Sequence, residues 1–131
     1  MTAKTTPKIE RYYTPLGPYS HVVAANGFIF LSAQAPLRPD GSSKDFVGSD
    51  VKEQTHQVLS NIKLLLEKAG SSLDDVVKVT VYLASPRDSG AMNEVYKEFF
   101  KNDPPTRAIA RIGIESPGLL VAMDVIAVQR K

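Results

Sequence analysis

The chain has 131 residues, a formal net charge of +2 at pH 7 and no cysteine. This length fits one domain, residues 1–131, and the missing cysteine excludes disulfides, thiolate nucleophiles and zinc–cysteine sites. The small charge and the scattered lysines and arginines argue against nucleic-acid binding, and no apolar run approaches the roughly 20 residues that span a bilayer.

The N-terminal part of the chain predicts an irregular segment followed by a hairpin. Residues 1–18 are rich in proline and lack the apolar stretch of a secretory signal, so we expect a cytoplasmic protein and leave a mitochondrial location open. Val22 to Ala25 predicts a short strand, and Asn26-Gly27 is typical of a two-residue hairpin turn. The continuous apolar run Phe28 to Ser32 favours a second strand covered on both faces.

The clearest element is a helix that follows a loop over residues 36–49. Asp50, with Glu53 three residues later, resembles a capping box at its start. Gly70 is typical of the residue just after a helix. The residues that recur between them at helical spacing are Val51, Thr55, Val58, Ile62, Leu65, Leu66 and Ala69.

The second half of the chain predicts a strand, a helix and two strands. Asp75 to Ala84 alternates with period two. One face would carry Val77, Val79, Val81 and Leu83, and the other Val76, Lys78, Thr80 and Tyr82. A helix is predicted near residues 88–101, before Pro104-Pro105. Its apolar side would carry Met92, Val95, Tyr96, Phe99 and Phe100. The last strands are predicted at Arg107 to Ile112 and Leu119 to Val128.

The predicted order, ββ-α-β-α-ββ, indicates an α+β fold whose two helices cover one face of the sheet. The other face would still carry many apolar side chains, which soluble monomers seldom expose over so large an area. We therefore expect a homo-oligomer in which sheets meet, with ligand pockets at the subunit boundaries.

Arg107 is the most informative candidate for function. It closes the run Pro104-Pro105-Thr106-Arg107 at the mouth of an apolar strand. A guanidinium is always charged and presents a planar fork of donors that matches a carboxylate at two points. On these residues alone, a carboxylate clamp and an ordinary surface ion pair explain Arg107 equally well.

Other polar residues carry weaker signals. Tyr19 follows a glycine–proline turn that fixes the backbone, and Asn93 interrupts an apolar helical face; a half-buried turn residue and a local helix hydrogen bond are the commoner explanations. Asp124 interrupts an apolar strand, where a carboxylate has to be hydrogen-bonded, paired or functional. The two histidines are isolated in sequence, so a metal site is not expected.

Taken together, the chain from about Gly17 to Val128 resembles the Rid (YjgF) family of enamine/imine deaminases. Each matching motif is weak alone, but the set is specific in its order and spacing. The motifs are Gly17-Pro18-Tyr19-Ser20, Ile29-Phe30-Leu31-Ser32-Ala33-Gln34, Gln57-Val58-Leu59-Ser60-Asn61-Ile62, Asp75-Val76-Val77-Lys78, Met92-Asn93-Glu94-Val95-Tyr96, Pro105-Thr106-Arg107 and Val125-Ile126-Ala127.

The resemblance implies a chorismate-mutase-like α+β fold and a homotrimer with three clefts between subunits. It implies hydrolysis of reactive enamine or imine intermediates, such as 2-aminoacrylate, to 2-keto acids and ammonia, with no cofactor and no metal. By the same pattern, Arg107 binds the substrate carboxylate. The other positions that the resemblance places at the pocket are Tyr19, Ser32, Ala33, Asn93 and Ile109.

Three positions depart from the family pattern. Active members carry a glutamate on the last strand that orients and activates the attacking water, and the alignment places Ala122 there. Ala33 stands where a glycine is usual, and Ile109 makes the pocket more apolar. Asp124 shares a strand face with residue 122 but lies about 6.6 Å further along. The sequence leaves open whether Asp124 or Glu115 reaches the pocket.

Two functions therefore compete. The first is a working deaminase, slower or specialised for another imine, with Arg107 and Asp124 as its catalytic residues. The second is a non-catalytic protein that keeps Arg107 to bind a 2-keto acid or a related carboxylate. A chaperone-like or translation-related role has no specific support in the sequence, and nuclease activity would be surprising at this net charge. We expect the deaminase, because the resemblance covers nearly the whole chain.

Overall fold

The computed structural model describes residues 4–113 and 116–130. In this part of the chain, two helices cover one face of a five-stranded sheet. The elements are β1 (Val22–Ala25), β2 (Phe28–Gln34), α1 (Val51–Lys68), β3 (Val76–Leu83), α2 (Ser89–Phe99), β4 (Thr106–Arg111) and β5 (Val121–Val128). Neither helix is long and apolar enough to cross a membrane.

The strands lie in the order β1-β2-β5-β3-β4. Neighbours are antiparallel except β3 and β4, which run parallel. A parallel pair needs a crossover connection, and α2 supplies it. The predicted element order and the α+β class are thus confirmed. As a consequence, β4 forms an edge of the sheet, and this edge carries Arg107.

The predicted ends of α1 are confirmed. The Asp50 side chain accepts a hydrogen bond of 2.9 Å from the backbone N–H of Glu53, which satisfies one of the unpaired donors at a helix start. Gly70 follows the helix with φ +85°, a conformation that glycine adopts without steric cost. The fully buried face of α1 packs on the sheet through Val58, Leu59, Ile62, Leu65 and Leu66.

The prediction for β3 is wrong at its first two residues. Val76 is buried, whereas Val77 is 42% exposed. The register with β5 shifts between Val76 and Lys78, so Val77 is the extra residue of a β-bulge and the alternation is reset around it. From Val79 onward the predicted alternation holds.

The prediction that β2 is covered on both faces is wrong for the single chain. Ile29 and Leu31 face the helices and are buried, but Phe28 and Phe30 on the opposite side are each 39% exposed. Val128 of β5, which pairs with Phe28, is 42% exposed. We call this helix-free side the open face of the sheet.

Candidate functional site

Arg107 lies on β4 and is held by α2. Its register partner on β3 is the buried Val79, so its side chain emerges on the helix side of the sheet. There Nη1 donates a 2.7 Å hydrogen bond to Oδ1 of Asn93, and Cζ lies 4.7 Å from the ring centroid of Tyr96. These two α2 residues are three positions apart and therefore share one helix face.

Tyr96 is a site residue that the sequence analysis assigned only to the apolar side of a helix. Its hydroxyl is buried and has no hydrogen-bond partner among residues 4–113 and 116–130. Burial raises the pKa of Tyr96, and the charge of Arg107 acts in the opposite direction. The spacing of three from Asn93 was the available signal, because it places both residues on the same side of the helix.

The guanidinium of Arg107 keeps donors for a ligand. In the described part of the chain no carboxylate forms an ion pair with it, so the ordinary surface ion pair is not what the structure shows. One N–H is used by Asn93, and four of the five donors of a guanidinium remain. Asn93 therefore positions Arg107 in this chain, where the resemblance had placed it as a polar residue near the ligand.

Ile109 lies beside Arg107 on the same face of β4. It lies two positions along β4, pairs with the buried Val81, and is itself 44% exposed. Since strand residues two apart share a face, an apolar surface borders the guanidinium. A cationic fork beside an apolar patch suits a small ligand that has one carboxylate and a short carbon chain.

Tyr19, Ser32 and Ala33 form a second group at the β1–β2 end of the sheet. Tyr19 is 44% exposed, and a Cβ on Gly17 would lie only 3.3 Å from its ring, so the glycine lets the ring fold back over the turn. The hydroxyl of Ser32 donates a 2.7 Å hydrogen bond to the Ser20 carbonyl. Its lone pairs then remain to accept a bond from a ligand.

A cavity of about 600 Å³ lies beside this second group. It is lined by residues 6–10, 12–15 and 19–21, including Tyr19 and His21. Arg107 does not line it. The N-terminal segment, predicted to be irregular, thus forms one wall of a concave surface.

His21 is buried in an aromatic cluster with Tyr12 and Tyr13, whose rings meet it edge-on at 4.9 and 4.8 Å. Its Nε2 lies 2.8 Å from the Tyr13 carbonyl, and its Nδ1 lies 3.3 Å from Nε2 of Gln34. A carbonyl only accepts and an amide nitrogen only donates. The imidazole is therefore neutral, with its proton on Nε2.

Stability should depend on pH through His21. Burial lowers the pKa of His21 below its ordinary value of 6.5, so on acidification the unfolded chain binds the proton first. The stability that a neutral His21 contributes is fully present above pH 6.5, and it is lost as the pH falls through the lowered pKa of the folded state. As the pH falls below 6.5, we expect the free energy of unfolding in urea to decrease in the wild type and to decrease less in His21→Asn.

The matched control for this pH dependence is His56→Asn, which changes the exposed histidine of α1. It shows what the loss of a histidine outside the aromatic cluster does to the slope of the free energy of unfolding against pH. Equal slopes for His21→Asn and the wild type would contradict a neutral, buried His21.

Ala122 and Asp124 both lie on the open face of β5, between the buried Val121, Met123 and Val125. Asp124 accepts a 2.8 Å hydrogen bond from the hydroxyl of Tyr82 on β3, and this bond raises the pKa of Tyr82. The carboxylate thus has a cross-strand partner, which engages its Oδ2 atom. Glu115, the other carboxylate considered, lies outside the described residues.

A single chain does not bring Arg107 close to Ser32 and Ala122. Arg107 is on the helix side of the edge strand β4, whereas Ser32 and Ala122 are on the open face. Two strands, β5 and β3, separate β2 from β4, so their backbones are about 14 Å apart at the usual strand spacing. Arg107 and Ser32 of one chain therefore lie far apart and on opposite faces of the sheet.

Comparison with known proteins gives consistent results. The model of the family described as Endoribonuclease L-PSP matches residues 10–129. A RutC family protein of Pyrococcus abyssi is 43% identical over 118 residues, 90% of this chain and 91% of that protein. The 2-iminobutanoate/2-iminopropanoate deaminase of Mus musculus is 39% identical over 114 residues, 87% of this chain and 83% of the mouse protein.

A solved structure agrees with these sequence matches. The Yersinia pestis protein YyfA, a Rid family protein of unknown function, is 34% identical to the chain. The two superpose with a TM-score of 0.86 over 96% of this chain and 99% of the Yersinia chain. The similarity extends over the whole sheet and both helices and is not confined to one motif.

Proposed function

The chain belongs to the Rid (YjgF) family, whose model is described as Endoribonuclease L-PSP, and on that premise we propose that it is a deaminase of reactive enamines and imines. Its substrates would be small carboxylates such as 2-aminoacrylate, and its products a 2-keto acid and ammonia. The similarity to the mouse 2-iminobutanoate/2-iminopropanoate deaminase supports this proposal. We place the protein in the cytoplasm, again as a proposal.

The observation that carries the proposal is the presentation of Arg107. Its guanidinium is fixed by Asn93 and stacked over Tyr96, and it has no ion-pair partner in the described residues. Pre-ordering a long cationic side chain reduces the entropy that a ligand would otherwise have to overcome. An exposed arginine without any role would not be expected to have both supports.

The assembly that completes the site would be a homotrimer. In it the open face, with its exposed Phe28, Phe30 and Val128, would be covered by neighbouring copies, since soluble proteins seldom leave such a patch exposed. Each cleft would combine Arg107 of one subunit with residues such as Tyr19 and Ser32 of another. The separation of these groups within one chain supports this arrangement.

The reaction adds one water and releases one ammonia. Protonation of the terminal enamine carbon converts 2-aminoacrylate to 2-iminopropanoate, water adds to the imine carbon, and the resulting carbinolamine loses ammonia to give pyruvate. Arg107 would hold the carboxylate throughout. Ser32, whose hydroxyl proton is used by Ser20, would accept a hydrogen bond from the substrate nitrogen or from the attacking water.

The two β5 positions considered above, residues 122 and 124, supply little acid–base catalysis. Ala122 cannot accept a proton, and the Asp124 carboxylate is hydrogen-bonded to Tyr82. A missing general acid–base group typically costs about 10²- to 10⁴-fold in rate. We therefore propose a slow deaminase that relies on positioning by Arg107 and on the intrinsic reactivity of imines towards water.

A second candidate function follows from the same alanine. With Ala122 in place of a glutamate, the protein could retain the carboxylate pocket only to bind a 2-keto acid. Two measurements separate the candidates: calorimetry with 2-oxobutanoate, and release of pyruvate from 2-aminoacrylate. Binding of 2-oxobutanoate without release of pyruvate favours the binding protein, and release of pyruvate favours the deaminase. If both measurements are negative, a carboxylate site built on Arg107 is contradicted.

A further inference from the structure

The two residues at the β2 end of the proposed pocket sit on an irregularity of the strand. β2 pairs with β5 through Leu31 opposite Val125, and pairing resumes with Gln34 opposite Met123. Ser32 and Ala33 thus oppose the single residue Asp124, which is the arrangement of a β-bulge. A bulge re-aims side chains, so whatever fixes its shape also fixes how Ser32 and Ala33 meet a ligand.

Gln34 is placed to fix the shape of this bulge. Its side chain is completely buried, at 0% exposure, and its Nε2 donates a 3.0 Å hydrogen bond back to the carbonyl of Ser32. The same nitrogen faces Nδ1 of His21 at 3.3 Å. Oε1 accepts a 2.7 Å hydrogen bond from the hydroxyl of Tyr12. The amide therefore joins the bulge to the histidine and to the N-terminal segment.

Only one orientation of this amide satisfies its neighbours. If the amide were reversed, its oxygen would face the Ser32 carbonyl, and two acceptors would meet in a dry interior. The hydroxyl of Tyr12, in contrast, finds an acceptor in the orientation observed. Ser32 itself is held at two further atoms, because its N–H donates to the His21 carbonyl at 3.0 Å and its hydroxyl to the Ser20 carbonyl.

From this geometry we infer that Gln34 is a positioning residue for the substrate pocket: it holds the Ser32–Ala33 bulge in the shape that binds the ligand. The inference rests on the proposed function, because it gives those two residues a ligand to meet. Gln34 touches no ligand in this account and acts through Ser32. The nitrogen of its amide is the essential atom, since it is the atom of Gln34 that donates to the Ser32 carbonyl.

The experiment compares Gln34→Met and Gln34→Glu with a matched control, Gln54→Met. Gln54 is equally buried, at 1% exposure, and it bonds similarly, with Nε2 donating to the Gly118 carbonyl at 2.7 Å. It has no bond to Ser32 or Ala33, so it reports what losing a buried glutamine does to stability alone. Gln34→Glu keeps the shape of the side chain but replaces the amide nitrogen, which donates to the Ser32 carbonyl, with an oxygen.

Two readouts are measured on each variant and on the wild type. The first is KM and kcat with 2-aminoacrylate, where we expect both Gln34 variants to raise KM by about tenfold or more and Gln54→Met to leave it unchanged. The second is hydrogen exchange of the Ser32 and Ala33 amides followed by NMR, where both Gln34 variants should exchange faster and Gln54→Met should match the wild type.

The outcomes keep the two proposals apart. If the wild type turns over substrate and Gln34→Met changes only the melting temperature, as Gln54→Met does, Gln34 is a structural residue and the inference is overturned. If the wild type shows no turnover, the proposed function fails, and amide exchange then decides: equal exchange at Ser32 and Ala33 in the Gln34 and Gln54 variants also overturns the positioning role.

Discussion

Replacing Arg107 with alanine is expected to lower kcat/KM for 2-aminoacrylate by about 100-fold. A charge-assisted hydrogen bond contributes roughly 1.5 to 3 kcal/mol, and a bidentate pair lies at the upper end. The free energy of unfolding should change little, because Arg107 is exposed and its contacts among the described residues are with Asn93 and Tyr96. Steady-state kinetics and calorimetry with 2-oxobutanoate measure the two losses, in turnover and in affinity.

Two control variants are compared with Arg107→Ala. Arg107→Lys keeps the charge but loses the planar fork, so it should recover only part of the activity. Arg111→Ala removes the same charge from the same exposed strand, four residues further on, and should leave KM unchanged. An equal loss in Arg111→Ala would indicate a general electrostatic effect, and Arg107 would then have no special role in holding the carboxylate.

Replacing Ala122 with glutamate is expected to raise kcat by about 100-fold or more. A positioned acid–base group contributes about 10²- to 10⁴-fold, and Ala122 is the position at which the family pattern carries one. The residue lies half-exposed on the open face opposite Tyr82, so a longer side chain does not have to enter the core. Stopped-flow measurement of pyruvate formation gives kcat directly.

Ala122→Gln is the matched control for the glutamate. It has nearly the same shape and can hold a water, but it does not exchange a proton, so it should give a small gain or none. If Ala122→Glu also gives none while the protein keeps its oligomeric state, the pocket does not place residue 122 near the substrate. The slow-deaminase account would then lose its explanation for the low rate.

Much of the fold can be predicted from local patterns in the sequence. The α1 helix has a cap, a long apolar repeat and a terminal glycine, and all three signals act within a few residues. The Asn26-Gly27 hairpin is equally local, with both residues at positive φ. These elements are specified by short-range chemistry, and the structure places them where the sequence indicates.

The bulges could not be predicted in this way. Val76 and Val77 are both valines, so the alternation of apolar residues gives no sign of which one is the extra residue. At Ser32–Ala33 the bulge depends on Gln34, whose partners Tyr12 and His21 are 22 and 13 residues away. Contacts over such separations are tertiary and leave no periodic signal in the strand itself.

The candidate site was predicted in its parts and not in its arrangement. Arg107 stands out from its flanking prolines and its strand, but its supports on α2 depend on the crossover between β3 and β4. In the sequence, Tyr96 reads as a core residue because it recurs with the apolar residues of α2, and only its contact with Arg107 in the structure shows a second role. The separation of Arg107 from Ser32 follows from the strand order, which the linear sequence does not display.

The most direct test of the central claim is turnover by the wild-type protein. 2-Aminoacrylate is generated continuously in the cuvette, and pyruvate and ammonia are followed with and without the protein, with Arg107→Ala at the same concentration as the reference. We predict that the wild type accelerates the release of both products in equal amounts and that Arg107→Ala is about 100-fold less effective. A wild-type rate equal to that of buffer, from a correctly folded protein, would contradict the proposed function.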